Sequence, residues 1–309
     1  MILDTDPALG IMRDGKPRDV DDGLAIIEAI NAPELDLLGI TIVFGNAASE
    51  EGLRVARHLV GLKGAKVPVL PGAAAAAGEL DNAVLTPAVT FMAEQLARQR
   101  LTIVAIGPLT NVAALLQHYP ERAKNIDAVI AVMGRSPNQH FYIGDSGPVR
   151  DFNFAMDPVS AEAVMQSGIP IVLAPFELSV QAVVTPQHLE TIKAHKTAAA
   201  RYLFNKTRNW VRFWMKTFPG DGGFHPWDSA AIAVLLQPDL LKCEDRGFRI
   251  RMADDAAHGI GDAKTGRVMR KRPWLETDKS FGDGRLRYCY GFQPGARASF
   301  IANIVARVF

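Results

Sequence analysis

The sequence predicts an α/β protein built on an open, mostly parallel, doubly wound sheet, with a helical C-terminal portion over the strand ends. Three observations predict it. Leu35 to Phe44 and Ala128 to Met133 are nearly unbroken apolar runs, as expected of strands buried on both faces of a parallel sheet. Such runs alternate with helix-spaced segments to about residue 180, and sustained β-α-β alternation favours right-handed crossovers in an open sheet. From Pro186 to Phe218 the pattern turns helical, with Trp210, Phe213 and Trp214 along it.

Taken in order, Ile2-Leu3 ends a buried strand and runs into Asp4-Thr5-Asp6-Pro7. A polar excursion, Ala8 to Arg18, leads to Asp19-Val20-Asp21-Asp22 and a helix whose apolar spacing runs from Leu24 to Ile30. Asn31-Ala32-Pro33 closes that helix, since proline cannot continue it. The strand Leu35 to Phe44 ends at Gly45-Asn46; a helix from Ser49 to Gly61 and a short strand, Val67 to Leu70, follow. The small-residue tract Ala73 to Ala77 reads as a loop. Next come a helix (Pro87 to Arg98), a strand (Leu101 to Ile106), and Gly107-Pro108-Leu109-Thr110-Asn111 opening another helix. Beyond the strand Ala128 to Met133 lies a long polar loop, then Asp157-Pro158 with a helix to Gln166 and the strand Pro170 to Ala174. Asp228 begins a strongly apolar helix through Leu236, and the last seventy residues read as strands and turns with a closing helix, Ala296 to Val308. No internal repeat or disordered linker interrupts the chain, which is expected to form one domain over residues 1–309.

Composition narrows the function. With 309 residues, 48% hydrophobic and a formal net charge of +1, the chain has ample core. It lacks the basic balance of a nucleic-acid binder and any run long enough to span a membrane. No basic leader precedes an apolar stretch, so a cytoplasmic protein is expected. The two cysteines, Cys243 and Cys289, suggest neither a disulfide framework nor a zinc pattern.

Aspartates crowd residues 4 to 22 beside a buried strand end. Packed carboxylates repel and are costly to desolvate, so such a cluster needs a cation or raised pKa values. Oxygen ligands favour a hard ion, Ca²⁺ or Mg²⁺, over zinc. Ligands of open α/β sheets sit beyond the carboxyl ends of the strands. That rule singles out Asp4 and Asp6, Asn46, the turn at Ile106-Gly107, Met133, Asp151-Phe152-Asn153, and Asp228 with His225 and Trp227 before it. Singly, Asn46 serves equally as a turn residue and Asp228 as a helix N-cap.

The ordered motifs carry a resemblance. Asp4-x-Asp6-Pro7, Asp21-Asp22 opening a helix, Val43-x-Gly45-Asn46, Gly107 to Asn111, Met133-Gly134, Asp151-Phe152-Asn153 with Asp157-Pro158, and Trp227-Asp228 together resemble the inosine–uridine-preferring nucleoside hydrolases over essentially the whole chain. The resemblance implies Ca²⁺-dependent hydrolysis of the N-glycosidic bond of ribonucleosides, in purine nucleoside catabolism and salvage, by a homodimer or homotetramer. It implies that Asp6, Asp22, Asp228 and the carbonyl of Ile106 hold the ion, with Asp6 also the general base on a bound water. Asp21, Asn46, Asp151 and Asn153 would hold ribose hydroxyls, with Met133 packing nearby and Asp4 a supporting acid. Such chemistry is sound: carboxylates and ordered hydroxyl contacts stabilise an oxocarbenium-like sugar.

Departures from the family pattern bear on the substrate. Thirteen residues, Ala8 to Val20, stand where two are usual, and this insert is expected to loop out at the pocket mouth. The diol acid is Asp151 rather than glutamate, and Asp145 stands where asparagine usually contacts the 5′-hydroxyl. Trp227 occupies a position that holds a general-acid histidine in some members, with His225 two residues earlier. Tryptophan there resembles the purine-preferring branch, where stacking favours the protonated base; His225 is the alternative acid, and Trp227 packing beneath the helices the alternative to stacking. Trp210 and Trp214, one helical turn apart, are expected in the core.

Two rival readings are a haloacid-dehalogenase-type Mg²⁺ phosphatase and a non-catalytic nucleoside- or ribose-binding protein. The phosphatase would use Asp4 and Asp6 with Gly261-Asp262 or Gly282-Asp283 closing its metal site, and leaves Gly45-Asn46 and Asp151-Phe152-Asn153 unexplained.

Overall fold

The computed structural model describes residues 1–143, 148–255, 270–282 and 285–308. The chain begins with β1 (Ile2–Thr5), followed by a small hairpin of β2 (Met12–Arg13) and β3 (Lys16–Pro17). Then come α1 (Asp21–Asn31), β4 (Gly39–Ile42), α2 (Ser49–Lys63), β5 (Val69–Pro71), α3 (Pro87–Arg98), β6 (Leu101–Ala105), α4 (Thr110–His118) and β7 (Ile126–Ala131). A second short hairpin, β8 (Phe141–Tyr142) and β9 (Pro148–Val149), precedes α5 (Phe152–Met156), α6 (Pro158–Gln166), β10 (Ile171–Leu173) and α7 (Phe176–Ser179). The C-terminal part holds α8 (Pro186–Ala194), α9 (Ala198–Thr217), α10 (Ser229–Leu236), β11 (Leu241–Asp255), β12 (Arg270–Asp278), β13 (Leu286–Phe292) and α11 (Ala296–Val308).

Among the described residues one mixed sheet runs in the order β12-β11-β13-β10-β7-β6-β1-β4-β5. Pairing is parallel from β13 through β5 and antiparallel for β12-β11-β13. The central strands are buried on both faces: Ile2 and Ile103 pack into one core cluster, Leu3 and Val104 into the other. That is why their sequences do not alternate polar with apolar residues.

The expected strand Leu35 to Phe44 is paired only over Gly39–Ile42, because its neighbours offer four and three residues to the ladder. Helix α1 starts at Asp21, placing Asp21 and Asp22 in its first turn, where the helix dipole favours negative charge. Contrary to the expectation from their spacing, Cys243 and Cys289 form a disulfide. They are directly opposed partners on the antiparallel strands β11 and β13, a proximity that a separation of 46 residues in sequence conceals. No helix among the described residues is long and apolar enough to cross a membrane.

Candidate active site

After β5 the chain returns to the other side of β1 to form β6. Strand order therefore reverses between β1 and β6, and the crevice beyond their carboxyl ends is where ligands of this architecture bind. Asp6 follows β1 and Ile106 follows β6. The Asp6 carboxylate is fully buried; its Oδ2 accepts the Asn46 amide at 2.5 Å. Two glycines make room for it. A Cβ on Gly45, whose φ is +156°, would sit 1.9 Å from Asp6 Oδ2, and one on Gly107 would sit 2.9 Å from Oδ1. Asp6 Oδ1 is buried without a hydrogen-bond partner among the protein groups.

Asp22 is held in place from two strands. Its Oδ1 accepts Thr5 Oγ1 at 2.6 Å and the Asp6 amide at 3.1 Å, and its Oδ2 accepts Asn46 Nδ2 at 3.1 Å. Asp228 stands at the N-cap position of α10, where its side chain makes no capping hydrogen bond, and is also buried. One carboxylate oxygen each from Asp21, Asp22 and Asp228 lies within 4.8 Å of the others. Burial pushes Asp6, Asp21, Asp22 and Asp228 up from the usual carboxylate range, and mutual repulsion pushes Asp6, Asp21 and Asp228 further. An all-oxygen set of repelling acids, with an orphaned oxygen on Asp6 beside it, fits a hard divalent cation. The set includes Asp22 and Asp228 from the expected metal ligands and adds Asp21, expected on the ribose; Asp6 stands next to it, coupled by charge to Asp22.

Asp4 stands behind this floor. Its Oδ1 accepts Thr41 Oγ1 at 2.6 Å and Asn111 Nδ2 at 2.8 Å, and burial pushes its carboxyl up to about 7. A residue so enclosed is poorly placed to be a phosphatase nucleophile. Asn111, from the Gly107 to Asn111 motif, also bonds the Ile42 carbonyl and the Ala73 amide, so it ties three strand ends together.

Above the floor opens a cavity of about 360 Å³, lined by Asp21, Asp228, Asn46, Ile106, Met133, Asp151, Asn153 and Trp227 among others. Asn153 Nδ2 donates to the carbonyls of Ile106 at 2.8 Å and Val132 at 3.1 Å. Asp151 Oδ2 accepts the Gly134 amide at 2.8 Å. One wall is aromatic: Phe141 stacks on Phe176 at 4.3 Å between centroids, and Phe176 on Trp227 at 5.0 Å.

His225 is not among the lining residues. It is buried, with Nδ1 2.8 Å from the Ala182 carbonyl and Nε2 2.9 Å from Asp221 Oδ2, which also accepts Trp214 Nε1 at 2.6 Å. This places His225 in the packing beneath the loop before α10. Trp210 and Trp214 are core residues, as expected, though Trp210 also borders the cavity. The insert forms the β2–β3 hairpin, whose Arg13, Asp14, Lys16, Pro17 and Arg18 line the mouth. Asp145, Asp262 and Asp283 lie outside the described residues.

Sequence reasoning missed Phe141 and Phe176 and gave no role to Asp19, all of which line the cavity. Phe176 lies just past the end of β10, so the strand-end rule could have found it. The hairpin had a signal in Asp14-Gly15, both at positive φ (52° and 73°), the dipeptide that a two-residue hairpin turn prefers. Asp19 Oδ1 accepts the Val20 amide at 2.7 Å; nothing in its spacing marked it.

Comparison with known proteins agrees with this geometry. The family model described as inosine-uridine preferring nucleoside hydrolase matches residues 1–279. The non-specific ribonucleoside hydrolase RihC of Salmonella schwarzengrund (strain CVM19633) is 35% identical over 267 residues, 78% of this chain and 79% of that enzyme. Among solved structures, a purine-preferring ribonucleoside hydrolase from Gardnerella vaginalis superposes with a TM-score of 0.74 at 24% identity, over 99% of this chain and 98% of that one. A plant nucleoside hydrolase gives 0.76 at 20% identity with the same coverage, and both likenesses bear on the fold. The chain thus belongs to the inosine-uridine preferring nucleoside hydrolase family and is a nucleoside hydrolase.

Proposed function

We propose that the protein hydrolyses the N-glycosidic bond of ribonucleosides, purines in preference, with Asp6 as general base and Ca²⁺ as cofactor. The observation that carries this reading is the convergence of Asp21, Asp22 and Asp228, with the partnerless Asp6 Oδ1 beside them, beneath an aromatic-walled cavity that Asp21 and Asp228 line. Asp22, Asp228 and Asp6, with the carbonyl of Ile106, would hold the ion. A divalent cation there orients water and ribose hydroxyls and lowers the water's pKa.

The chain's own groups do the rest. Asp6 Oδ1 takes the proton as the water oxygen bonds to C1′ and the C1′–N bond breaks. Clamped by Gly45, Gly107 and the Asn46 amide, Asp6 need not reorganise. Asp21 and Asn46 hold the ribose diol, with Asn153 oriented by two carbonyls and Met133 packing against the sugar. Asp151, oriented by the Gly134 amide on its Oδ2, is a further acceptor for the ribose hydroxyls. Negative charge on the floor stabilises the cationic sugar. Trp227, backed by Phe176 and Phe141, stacks on the base and favours its departure in protonated form. A ribose clamp also discriminates against deoxyribose, because a missing hydroxyl leaves buried partners unpaired.

The test is free-base release from a panel of purine and pyrimidine ribonucleosides, with and without a chelator. Asp6→Asn should lower kcat by at least ~100-fold, the scale of lost general-base catalysis, with little change in ribose affinity. Wild-type turnover in that variant would overturn the assignment, and tight nucleoside binding without turnover in the wild type would favour a binding protein.

A further inference from the structure

The insert Ala8 to Val20 is where this chain departs from the family pattern in length, and one of its side chains reaches the groups that hold Asp6. Arg18 follows β3 and lines the cavity. Its Nε donates to the carbonyl of Asn46 at 3.0 Å. On the other side of the Asn46 Cα, the Asn46 amide donates to Asp6 Oδ2 at 2.5 Å, while Nδ2 of its side chain donates to Asp22 Oδ2 at 3.1 Å. Asn46 lies between β4 and α2 and belongs to neither element, so no helix or strand fixes its backbone. Peptide groups are planar and leave each residue two soft torsions. Holding the amide on one side of Cα and the carbonyl on the other restrains both, so Arg18 bears on the direction in which the amide meets Asp6.

The arginine can act as a strut because the hairpin that carries it is itself anchored. The Arg18 amide donates to the Ile11 carbonyl at 3.0 Å, and the Ile11 amide to the Ala8 carbonyl at 2.9 Å, closing the stem. Arg13 Nη2 pairs with Glu51 Oε2 of α2 at 3.1 Å. Gly10 lies against Lys206 of α9, where an added Cβ would sit 3.0 Å from the lysine Cδ. The hairpin is thus seated on a helix from each side of the mouth. A charged donor also bonds a carbonyl more strongly than a neutral one does. We infer that Arg18 is a positioning residue: it holds the Asn46 turn so that Asp6 keeps the aim its role as base requires. The insert then serves the reaction besides walling the mouth. This inference rests on the nucleoside hydrolase reading of the same cavity, with Asp6 as its base.

The experiment measures inosine cleavage, and the Asn46 amide resonance in proton–nitrogen NMR spectra, in wild type, Arg18→Ala, Arg18→Lys and Met12→Ser. Displacing a catalytic group by about 1 Å costs on the order of 100-fold in rate. A slackened turn in Arg18→Ala should therefore lower kcat at least ~10-fold, with kcat/KM falling in step, as when an interaction specific to the transition state is removed. The Asn46 amide proton, released from its short bond to a carboxylate, should move upfield. Arg18→Lys keeps a cationic donor and should recover part of both changes. Met12→Ser alters an exposed residue of the same hairpin and should change neither. A raised KM at unchanged kcat in Arg18→Ala would make the arginine a wall residue and overturn the inference, as would an unmoved Asn46 amide. Either result, with inosine cleaved by the wild type, leaves the hydrolase reading standing. Wild-type protein that cleaves no nucleoside would sink that reading, and the inference with it.

Discussion

Replacing Gly45 by alanine tests how the floor positions its base. The new methyl would lie 1.9 Å from Asp6 Oδ2 and 2.7 Å from Asp6 Cγ, and real Cβ contacts essentially never fall below 3.0 Å, so that oxygen must retreat by about 1.1 Å. The other oxygen lies against Gly107, where a Cβ would sit 2.9 Å from Oδ1. The Asn46 amide bond to Oδ2 is then stretched or lost. Displacing a catalytic group by about 1 Å costs on the order of 100-fold in rate, or ~2.7 kcal/mol of barrier. Overpacking adds roughly 1–3 kcal/mol of lost stability, and φ of +156° is a backbone conformation alanine rarely adopts. Steady-state base release, with circular dichroism to confirm folding, reads the outcome. A folded Gly45→Ala protein with wild-type kcat would refute the claim that Asp6, in this clamp, does the chemistry.

Three other predictions follow from separate parts of the fold. Trp227→Ala should lower kcat/KM for purines by roughly 10- to 100-fold, the range of base–aromatic stacking, and for pyrimidines by less; equal losses would return that indole to a packing role. Glu28 is buried in α1, accepts Ser229 Oγ at 2.5 Å, and burial pushes its carboxyl from the ordinary 4.5 up to about 7. The folded state then binds the extra proton between those values, so this group's stabilisation is present at low pH and is lost as pH rises through about 7. Glu28→Gln should remove that decline, raising stability at pH 8 by up to ~3 kcal/mol with little gain at pH 4; denaturant titrations at both pH values check it, and parallel curves would contradict it. Gly61 lies within α2 and an added Cβ there meets nothing within 4 Å. Gly61→Ala should therefore stabilise by roughly 0.5–1 kcal/mol, measured by urea unfolding, and a loss of stability would show an unseen steric conflict.

Much of this molecule was legible in the sequence because parallel strands and their crossover helices leave strong local marks. Helix α3 falls on Pro87–Arg98 as read from its proline start and apolar spacing, and α11 on Ala296–Val308. Asp6, Asp22 and Asp228 were named as a group only through the family resemblance; of the three, Asp22 and Asp228 meet in one acid set, with Asp21. What stayed hidden depends on contacts between distant segments. The stacking of Phe141 on Phe176 joins a hairpin to a helix start, and the opposition of Cys243 and Cys289 needs the register of β11 against β13. His225 looked chemically apt beside Trp227, yet the Asp221 carboxylate and the Ala182 carbonyl claim its ring. Asp21 looked like a sugar ligand, and the first turn of α1 brings its oxygen into the acid set as well.

Calcium titration into chelator-stripped protein, followed by calorimetry and base release in the same samples, bears most directly on the acid floor. One equivalent should bind and restore turnover, affinity should fall with pH as the carboxylates protonate, and Asp228→Asn should weaken binding by at least ~10-fold. Full activity in the stripped protein, or calcium binding untouched by Asp228→Asn, would contradict the account.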